Sequence, residues 1–233
     1  MSRLADHRSM IAAVATALGE ELLQQVAFVG GCTTGLLLTD EFSKEQVRHT
    51  DDVDLIVHVV GYAGISKLQQ MLREQGFSHA QGEGDPICAM KLGALRVDFM
   101  PDEANALGFT NRWYAEALRT AAPYRVTDTL TIRLVQPALF LATKLEAYRD
   151  RGNDDPLESR DIEDILTLFD GRPELLDELQ ASSVELRRYV ADRLGELMTH
   201  PDFEYAVQSA ALGDAGREAL LFERLDLAIG SLR

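Results

Sequence analysis

Cysteines and long hydrophobic runs are scarce in this chain of 233 residues. Cys32 and Cys88 are the two cysteines, and no Cys/His cluster with zinc-ligand spacing accompanies them, so neither a disulfide framework nor a zinc site is expected. No stretch reaches the roughly 20 consecutive apolar residues that a membrane-spanning helix needs. The apolar stretch from Met10 to Leu18 is short and lacks the small-residue cleavage site of a signal peptide. We therefore expect a cytoplasmic protein with no membrane partner.

Low-complexity tracts and convincing internal repeats are also absent, and 46% of the residues are hydrophobic while 26% are charged. This composition is ordinary for a folded protein, so disorder is not expected. The length suits one large domain or two small ones with a sizeable core.

Positive charge is in short supply, because the formal net charge is −15. Such an excess of negative charge ordinarily disfavours binding to nucleic-acid phosphates. Residues 111–151, however, are locally basic, because they hold seven basic and four acidic residues. Residues 152–233 hold eight basic and nineteen acidic residues, which is typical of a solvated acidic helical surface.

Apolar periodicity predicts alternating helices and strands in the first part of the chain. The predicted elements are a helix over Arg3 to Gln24, a strand over Val26 to Val29, a helical turn over Thr33 to Leu38, a strand over Val53 to Val60, a helix over Ile65 to Glu74, and a hairpin of Ile87 to Leu92 with Leu95 to Met100.

The remainder is predicted to be mostly helical. The predicted elements are a helix over Arg112 to Thr120, a strand over Leu130 to Val135, and helices over Pro137 to Arg149, Arg160 to Phe169, Pro173 to Leu179, Val184 to Met198 and Arg217 to Leu232. We therefore predict an α+β protein, with a mixed or antiparallel sheet in residues 1–105 and a mostly helical domain in residues 106–233.

Three aspartates are the strongest chemical signal. Asp52 and Asp54 open a strand in which side chains alternate between faces, so both carboxylates point to the same side. Asp98 lies in a second strand, alternating with Val97 and Phe99. Three converging carboxylates repel one another, and a divalent cation relieves that repulsion. Carboxylate and phosphate oxygens suit Mg²⁺ (or Mn²⁺), so the three aspartates are predicted metal ligands.

A glycine turn follows the first strand and precedes a predicted helical turn. Gly30 and Gly31 would let backbone amides approach phosphate oxygens, and Thr33 and Thr34 could add hydroxyl donors. Taken alone, a diglycine after a strand is more often only a turn.

The residues Phe28 to Gly31, Arg48 to Leu55 and Val97 to Phe99 together resemble the core of polymerase-beta superfamily nucleotidyltransferases. In that superfamily a Gly-Gly or Gly-Ser turn precedes Asp-x-Asp, and a further acid lies on a later strand. Phe140 to Arg149 and Ser159 to Ile165 resemble the AbiEii-like branch, whose members include toxins of type IV toxin–antitoxin systems. Gly31 replaces the serine of the Gly-Ser form, so a hydroxyl contact to phosphate would have to come from Thr33 or Thr34.

The resemblance implies a nucleoside triphosphate (NTP) substrate and transfer of a nucleotidyl group, in some members to the 3′ end of transfer RNA. It also implies that Arg48 and Thr50 orient the loop or contact substrate, although both could be ordinary loop residues. Lys144 would neutralise triphosphate charge, and Asp161 would share in catalysis.

Lys144 and Asp161 could also have purely structural roles. Lys144 lies among Phe140, Leu141 and Tyr148 on a predicted helix, so its stem could cover apolar surface while the ammonium reaches water. Asp161 could serve only as an acid favoured at a helix N-terminus.

The expected reaction is attack by an acceptor hydroxyl on the α-phosphorus of an NTP, with release of pyrophosphate. Asp52 and Asp54 would bind the metals, while Asp98 would hold a second metal or take the acceptor proton. The expected acceptor is a transfer RNA end, and a cognate antitoxin protein is a possible partner. Open alternatives are nucleotidylation of an aminoglycoside-like molecule or of a protein, and a non-catalytic binding module.

Overall fold

The computed structural model describes residues 2–80, 86–103, 110–151 and 153–232. The chain forms two compact units, and each is built from two separate segments of the sequence. Unit 1 comprises Met1–Thr33 and His49–Gln136, and unit 2 comprises Thr34–Arg48 and Pro137–Arg233. The predicted domain boundary at residues 105 and 106 lies outside the described residues, and residues 110–136 belong to unit 1 rather than to the helical unit.

Unit 1 is an α+β unit built on a mixed sheet. Its elements are α1 (Arg3–Leu23), β1 (Val26–Val29), a 3₁₀ turn (Gly31–Thr33), β2 (Asp52–Val57), α4 (Gly61–Glu74), β3 (Ser78–His79), β4 (Ala89–Leu92), β5 (Leu95–Pro101), α5 (Tyr114–Thr120), β6 (Ala122–Arg125) and β7 (Thr131–Leu134). In the described part of the chain, seven strands form one sheet in the order β3-β4-β5-β2-β1-β7-β6. β2 pairs in parallel with β5 and β1 in parallel with β7, while the other neighbours are antiparallel.

Burial of the central strands follows their sequences. All four residues of β1 are buried, as expected for the continuous apolar run Val26–Val29 in a covered strand. β5 alternates instead, with Val97 and Phe99 buried and Asp98 partly exposed. This alternation places Asp98 on the face of the sheet opposite to its apolar neighbours.

Two strands of the sheet were not predicted. β6 contains Pro123, which cannot donate a ladder hydrogen bond, and β3 has only two residues. Both lie at the ends of the strand order, where an unpaired edge tolerates proline and short length. Neither segment has the β-branched alternation on which the strand predictions were based.

The regular elements in the described residues of unit 2 are all helices. Its helices are α2 (Thr34–Leu37), α3 (Glu41–Glu45), α6 (Pro137–Arg151), α7 (Arg160–Gly171), α8 (Leu175–Gln180), α9 (Val184–Met198), α10 (Phe203–Ala210) and α11 (Ala215–Leu232). Ser159 and Ser183 cap α7 and α9, since each serine oxygen accepts a hydrogen bond from the backbone amide three residues later.

The core of unit 2 includes Phe140, Phe169 and Phe203, each at most 1% exposed. The helix bounds confirm the predictions for α6, α7 and α9 to within a few residues, whereas α3 and α10 were not predicted. Among the described residues, no helix combines the length and apolar character needed to cross a bilayer.

Candidate metal centre

The structure brings the three predicted metal ligands together on one face of the sheet. In the parallel register of β2 and β5, Asp54 lies opposite Asp98, and Asp52 lies opposite Arg96. One carboxylate oxygen from each aspartate lies within 4.8 Å of the others. All three side chains are partly exposed, so the cluster can be reached from solvent. We call these three residues the carboxylate triad.

Two neighbours hold the triad in place. The hydroxyl of Thr50, which is 3% exposed, donates a hydrogen bond to Oδ1 of Asp52. Nε of Arg96 donates to both carboxylate oxygens of Asp98 at 3.1 Å. Thr50 therefore fixes the orientation of the Asp52 carboxylate.

Arg96 was missed at the sequence level. The available signal was its spacing, because it lies two residues before Asp98 in a strand and so projects to the same face. Its charge offsets one of the three negative charges. Within the described residues, no other group of three His, Cys, Asp or Glu side chains meets the same spacing.

The donor set fits a hard divalent cation. Three carboxylates supply oxygen ligands, which are the ligands that Mg²⁺ and Mn²⁺ prefer. Burial, followed by the charge of Asp98, raises the pKa of the Cys88 thiol to about 11. Near neutral pH this burial favours the protonated form of the Cys88 thiol.

The glycine turn packs directly against this centre. Gly30 has φ of +79°, and an added Cβ would lie 2.6 Å from Cγ of Asp54. The hydroxyl of Thr33, which is fully buried, donates to the carbonyl oxygen of Gly30 at 2.8 Å. The turn thus holds the end of β1 against a predicted metal ligand. Thr33 is one of the two threonines predicted to donate a hydrogen bond to phosphate. In the structure its hydroxyl proton is donated within the turn instead.

Alanine at Gly30 is expected to disturb the centre as well as the backbone. A left-handed φ costs a non-glycine residue about 1–3 kcal/mol, and the new methyl group would additionally displace Asp54. Gly93→Ala is the matched control, because Gly93 has φ of +60° and nothing within 4 Å of an added Cβ. Urea denaturation should show a larger loss for Gly30→Ala, and Mn²⁺ binding should weaken only in that variant. Equal losses of stability with unchanged Mn²⁺ binding would contradict the close packing of Gly30 on Asp54.

The second-half site residues form a buried charged cluster in unit 2. Nζ of Lys144 lies 3.0 Å from Oδ1 of Asp161 and 2.7 Å from Oδ2 of Asp164. Arg48 donates hydrogen bonds to both carboxylate oxygens of Asp164 at 3.0 and 2.9 Å. The Thr34 hydroxyl donates to Oδ1 of Asp164 at 3.0 Å.

Asp161 is also bonded by Arg151, whose Nε lies 3.2 Å from Oδ2. This cluster therefore consists of two carboxylates, three cations and a hydroxyl. We call it the Lys144 cluster, and it comprises Thr34, Arg48, Lys144, Arg151, Asp161 and Asp164.

The structure contradicts the interpretation in which the Lys144 stem covers apolar surface while its ammonium reaches water. That side chain is 7% exposed, so its ammonium does not reach water as predicted for a stem covering apolar surface. Burial disfavours the charged amine, but Asp164 and Asp161 outweigh this effect and raise its pKa. Burial alone would raise the pKa of Asp164, but Lys144 and Arg48 lower it. Asp161 lies in the first turn of α7, as its helix-terminal interpretation predicted, and it is also an ion-pair partner.

Several basic side chains of residues 111–151 contact other groups of the same chain. Arg133 donates to the carbonyl oxygens of Gln24 and Leu118, and Arg149 pairs with Glu146 at 2.6 Å. Lys144 and Arg151 belong to the cluster described above. Three further arginines of the segment are exposed, namely Arg112, Arg119 and Arg125.

Comparison with known proteins assigns no family. Neither the family models nor the curated proteins searched match this chain.

Proposed function

We propose that the protein is a metal-dependent nucleotidyltransferase that moves a nucleoside monophosphate from an NTP to an acceptor hydroxyl. The observation that carries the proposal is the carboxylate triad, in which oxygens from two parallel strands lie within 4.8 Å of one another. Asp52, Asp54 and Asp98 would hold the divalent cation. When bound, such a cation neutralises developing charge and orients the phosphate oxygens.

The chain's own residues have defined tasks in this proposal. Thr50 orients the carboxylate of Asp52, and Gly30, which has no side chain, leaves room for the carboxylate of Asp54. Asp98 is held by Arg96 at the same centre, and its carboxylate is a candidate acceptor for the hydroxyl proton. The acceptor oxygen forms a bond to the α-phosphorus, the bond to the bridging oxygen breaks, and pyrophosphate leaves. Positioning and electrostatic stabilisation supply most of the acceleration in such a reaction.

The experiment is a transfer assay with NTPs labelled at either the α- or the γ-phosphate. Each NTP is incubated with the protein, Mg²⁺ and one of three acceptors, namely purified transfer RNA, an aminoglycoside, or cell-lysate protein. Acceptor labelling from the α-position alone supports nucleotidyl transfer, and a chelator should abolish it. Labelling from the γ-position would identify phosphoryl transfer instead and would defeat the proposal. The absence of any labelling would favour a non-catalytic binding module.

More specifically, we propose that the acceptor is the 3′ end of transfer RNA. We also propose that the protein acts in the cytoplasm and that an antitoxin protein controls it. These proposals rest on the resemblance of residues 140–149 and 159–165 to AbiEii-like toxins. Arg112, Arg119 and Arg125 are exposed in the basic segment and would contact the RNA phosphates, and Arg119 also lies 3.8 Å from Glu116. Arg149 and Arg151 are less suitable, because each pairs with a buried carboxylate, that of Glu146 or that of Asp161.

Transfer RNA binding should therefore weaken steeply with salt. The logarithm of the association constant should fall by close to one unit per logarithmic unit of salt for each neutralised phosphate. Arg119→Gln and Arg125→Gln should each make this slope shallower while leaving NTP binding unchanged. Arg188→Gln, an exposed arginine of α9, is the control. A salt-independent reaction that labels only the small molecule would exclude RNA as the acceptor and leave nucleotidyl transfer intact.

A further inference from the structure

A second concave site lies in unit 2, within residues that the proposed function does not use. It is a cavity of about 300 Å³, and its apolar lining includes Leu157, Ile162, Leu166, Ala206 and Leu212. We call it the α7–α10 pocket after the two helices that supply much of the wall. Its volume is at the lower end of the range for small-molecule sites, so it suits a few anchoring side chains.

Exposed apolar side chains line or adjoin this pocket. Leu157 is 50% exposed and Leu212 is 65% exposed, and both line the pocket. Phe42 is 56% exposed and lies beside the pocket, since the guanidinium of the lining residue Arg217 sits 4.7 Å from its ring centroid. Grouped apolar exposure beside a cavity is typical of interaction sites.

Leu212 is the most informative of these residues. Its φ is +54°, a left-handed conformation that is uncommon for residues other than glycine, asparagine and aspartate. Because two-thirds of its surface is exposed, burial within the chain does little to offset that conformational cost. A partner that covers Leu212 would provide the missing burial.

The charges around the pocket indicate what kind of partner fits. Glu163 and Asp170 line the pocket, and exposed Glu158, Glu204 and Asp214 lie one or two residues from lining positions. Among the basic residues, Arg217 lines the pocket and is paired with Asp170, and Lys44 and Arg160 lie one residue from lining positions. The apolar pocket therefore has a mainly acidic surround. A second copy of this chain is a poor occupant, because each copy carries a net charge of −15.

We propose that the α7–α10 pocket binds a basic segment of another protein, with leucine-sized apolar anchors inserted between Leu157 and Leu212. The apolar anchors would bury the two leucines, and the basic residues of the segment would face the carboxylates at the rim. The pocket lies within unit 2, and binding there does not depend on the nucleotidyltransferase activity.

The test uses synthetic amphipathic peptides and the full chain. One peptide carries leucine and lysine, a second carries leucine and glutamate, and a third carries lysine with serine in place of leucine. Fluorescence anisotropy should detect binding of the first peptide alone, and this binding should weaken with salt. Leu157→Ser and Leu212→Ser should each raise its Kd at least about tenfold. Glu163→Lys, at an exposed helix position, should also raise it.

Leu227→Ser is the control, because Leu227 is 48% exposed on α11 and does not line the pocket. It should leave the Kd unchanged. The proposal is overturned if the leucine–lysine peptide does not bind, if the glutamate peptide binds equally well, or if Leu157→Ser and Leu212→Ser have no effect. A dimer that Leu212→Ser dissociates would also overturn it, because the occupant would then be a second copy.

Discussion

Asparagine in place of Asp54 is expected to reduce nucleotidyl transfer at least about a thousandfold. The reason is that Asp54 contributes an oxygen to the carboxylate triad, and a bound cation supplies several kcal/mol of transition-state stabilisation. Each 1.4 kcal/mol corresponds to a factor of ten in rate. Asp52→Asn should behave in the same way, since its carboxylate lies in the same cluster.

Asp51→Asn is the matched control for these variants. Asp51 immediately precedes β2 and is exposed, and the oxygens that form the triad come from the other three aspartates. Its turnover should therefore stay near that of the wild-type protein at saturating Mg²⁺. Circular dichroism should show the same fold in all three variants, because none of the substitutions removes a core contact. Wild-type turnover in Asp52→Asn or Asp54→Asn would exclude the triad from the reaction.

Alanine in place of Lys144 is expected to lower the free energy of unfolding by about 3–5 kcal/mol. The ammonium of Lys144 bonds Asp161 and Asp164, which are 5% and 1% exposed, so its removal leaves buried negative charge undercompensated. Urea denaturation measures the loss. Lys44→Ala is the control, because the Lys44–Glu41 pair lies at the surface and should contribute less than about 1 kcal/mol.

Simultaneous neutralisation should recover much of this loss. Lys144→Met combined with Asp164→Asn removes opposite charges from the same buried contact, so the double variant should be more stable than the sum of the single losses implies. Additive losses would contradict the direct pairing seen in the structure. Kinetics at a temperature where every variant stays folded then separate a triphosphate contact of Lys144 from its role in stability. A contact with substrate would raise KM or lower kcat in the folded Lys144→Ala protein.

The pKa shifts define the pH range over which the Lys144 cluster stabilises the fold. The lowered pKa values of Asp161 and Asp164 give stability that is present above their unfolded values near pH 4 and is lost on acidification. The raised pKa of Lys144 gives stability that is complete below about pH 10 and is lost as the lysine deprotonates above it. The stability difference between wild type and Lys144→Ala should therefore be flat near neutral pH and shrink at low pH.

Local sequence pattern was sufficient to place the three aspartates. Strand alternation put Asp52 and Asp54 on one face, and Val97 and Phe99 marked Asp98 as the outward residue of a second strand. The parallel pairing of β2 with β5, which sets Asp54 beside Asp98, depends on sheet topology. Arg96 could have been identified from the same alternation, because it lies two residues before Asp98 on the same face of β5, whereas its place opposite Asp52 depends on the pairing.

The structure of unit 2 was much less accessible from sequence. Residues 34–48 join residues 137–233 in space, and no local composition signals such a discontinuous unit. Arg48 and Asp164 are 116 positions apart in the chain, so their pairing is a tertiary contact that propensity and periodicity do not encode. For the same reason, the sequence suggested solvent or substrate for the Lys144 ammonium, whereas the structure gives it two buried carboxylates.

Direct titration with Mn²⁺ tests the carboxylate triad as a metal centre most simply. Electron paramagnetic resonance of the free ion reports binding without requiring turnover or knowledge of the acceptor. Saturable binding is expected in the wild-type protein and in Asp51→Asn, and it should be strongly weakened in Asp52→Asn, Asp54→Asn and Asp98→Asn. No saturable binding by the wild-type protein, even with NTP present, or equal binding by all five proteins, would contradict the assignment.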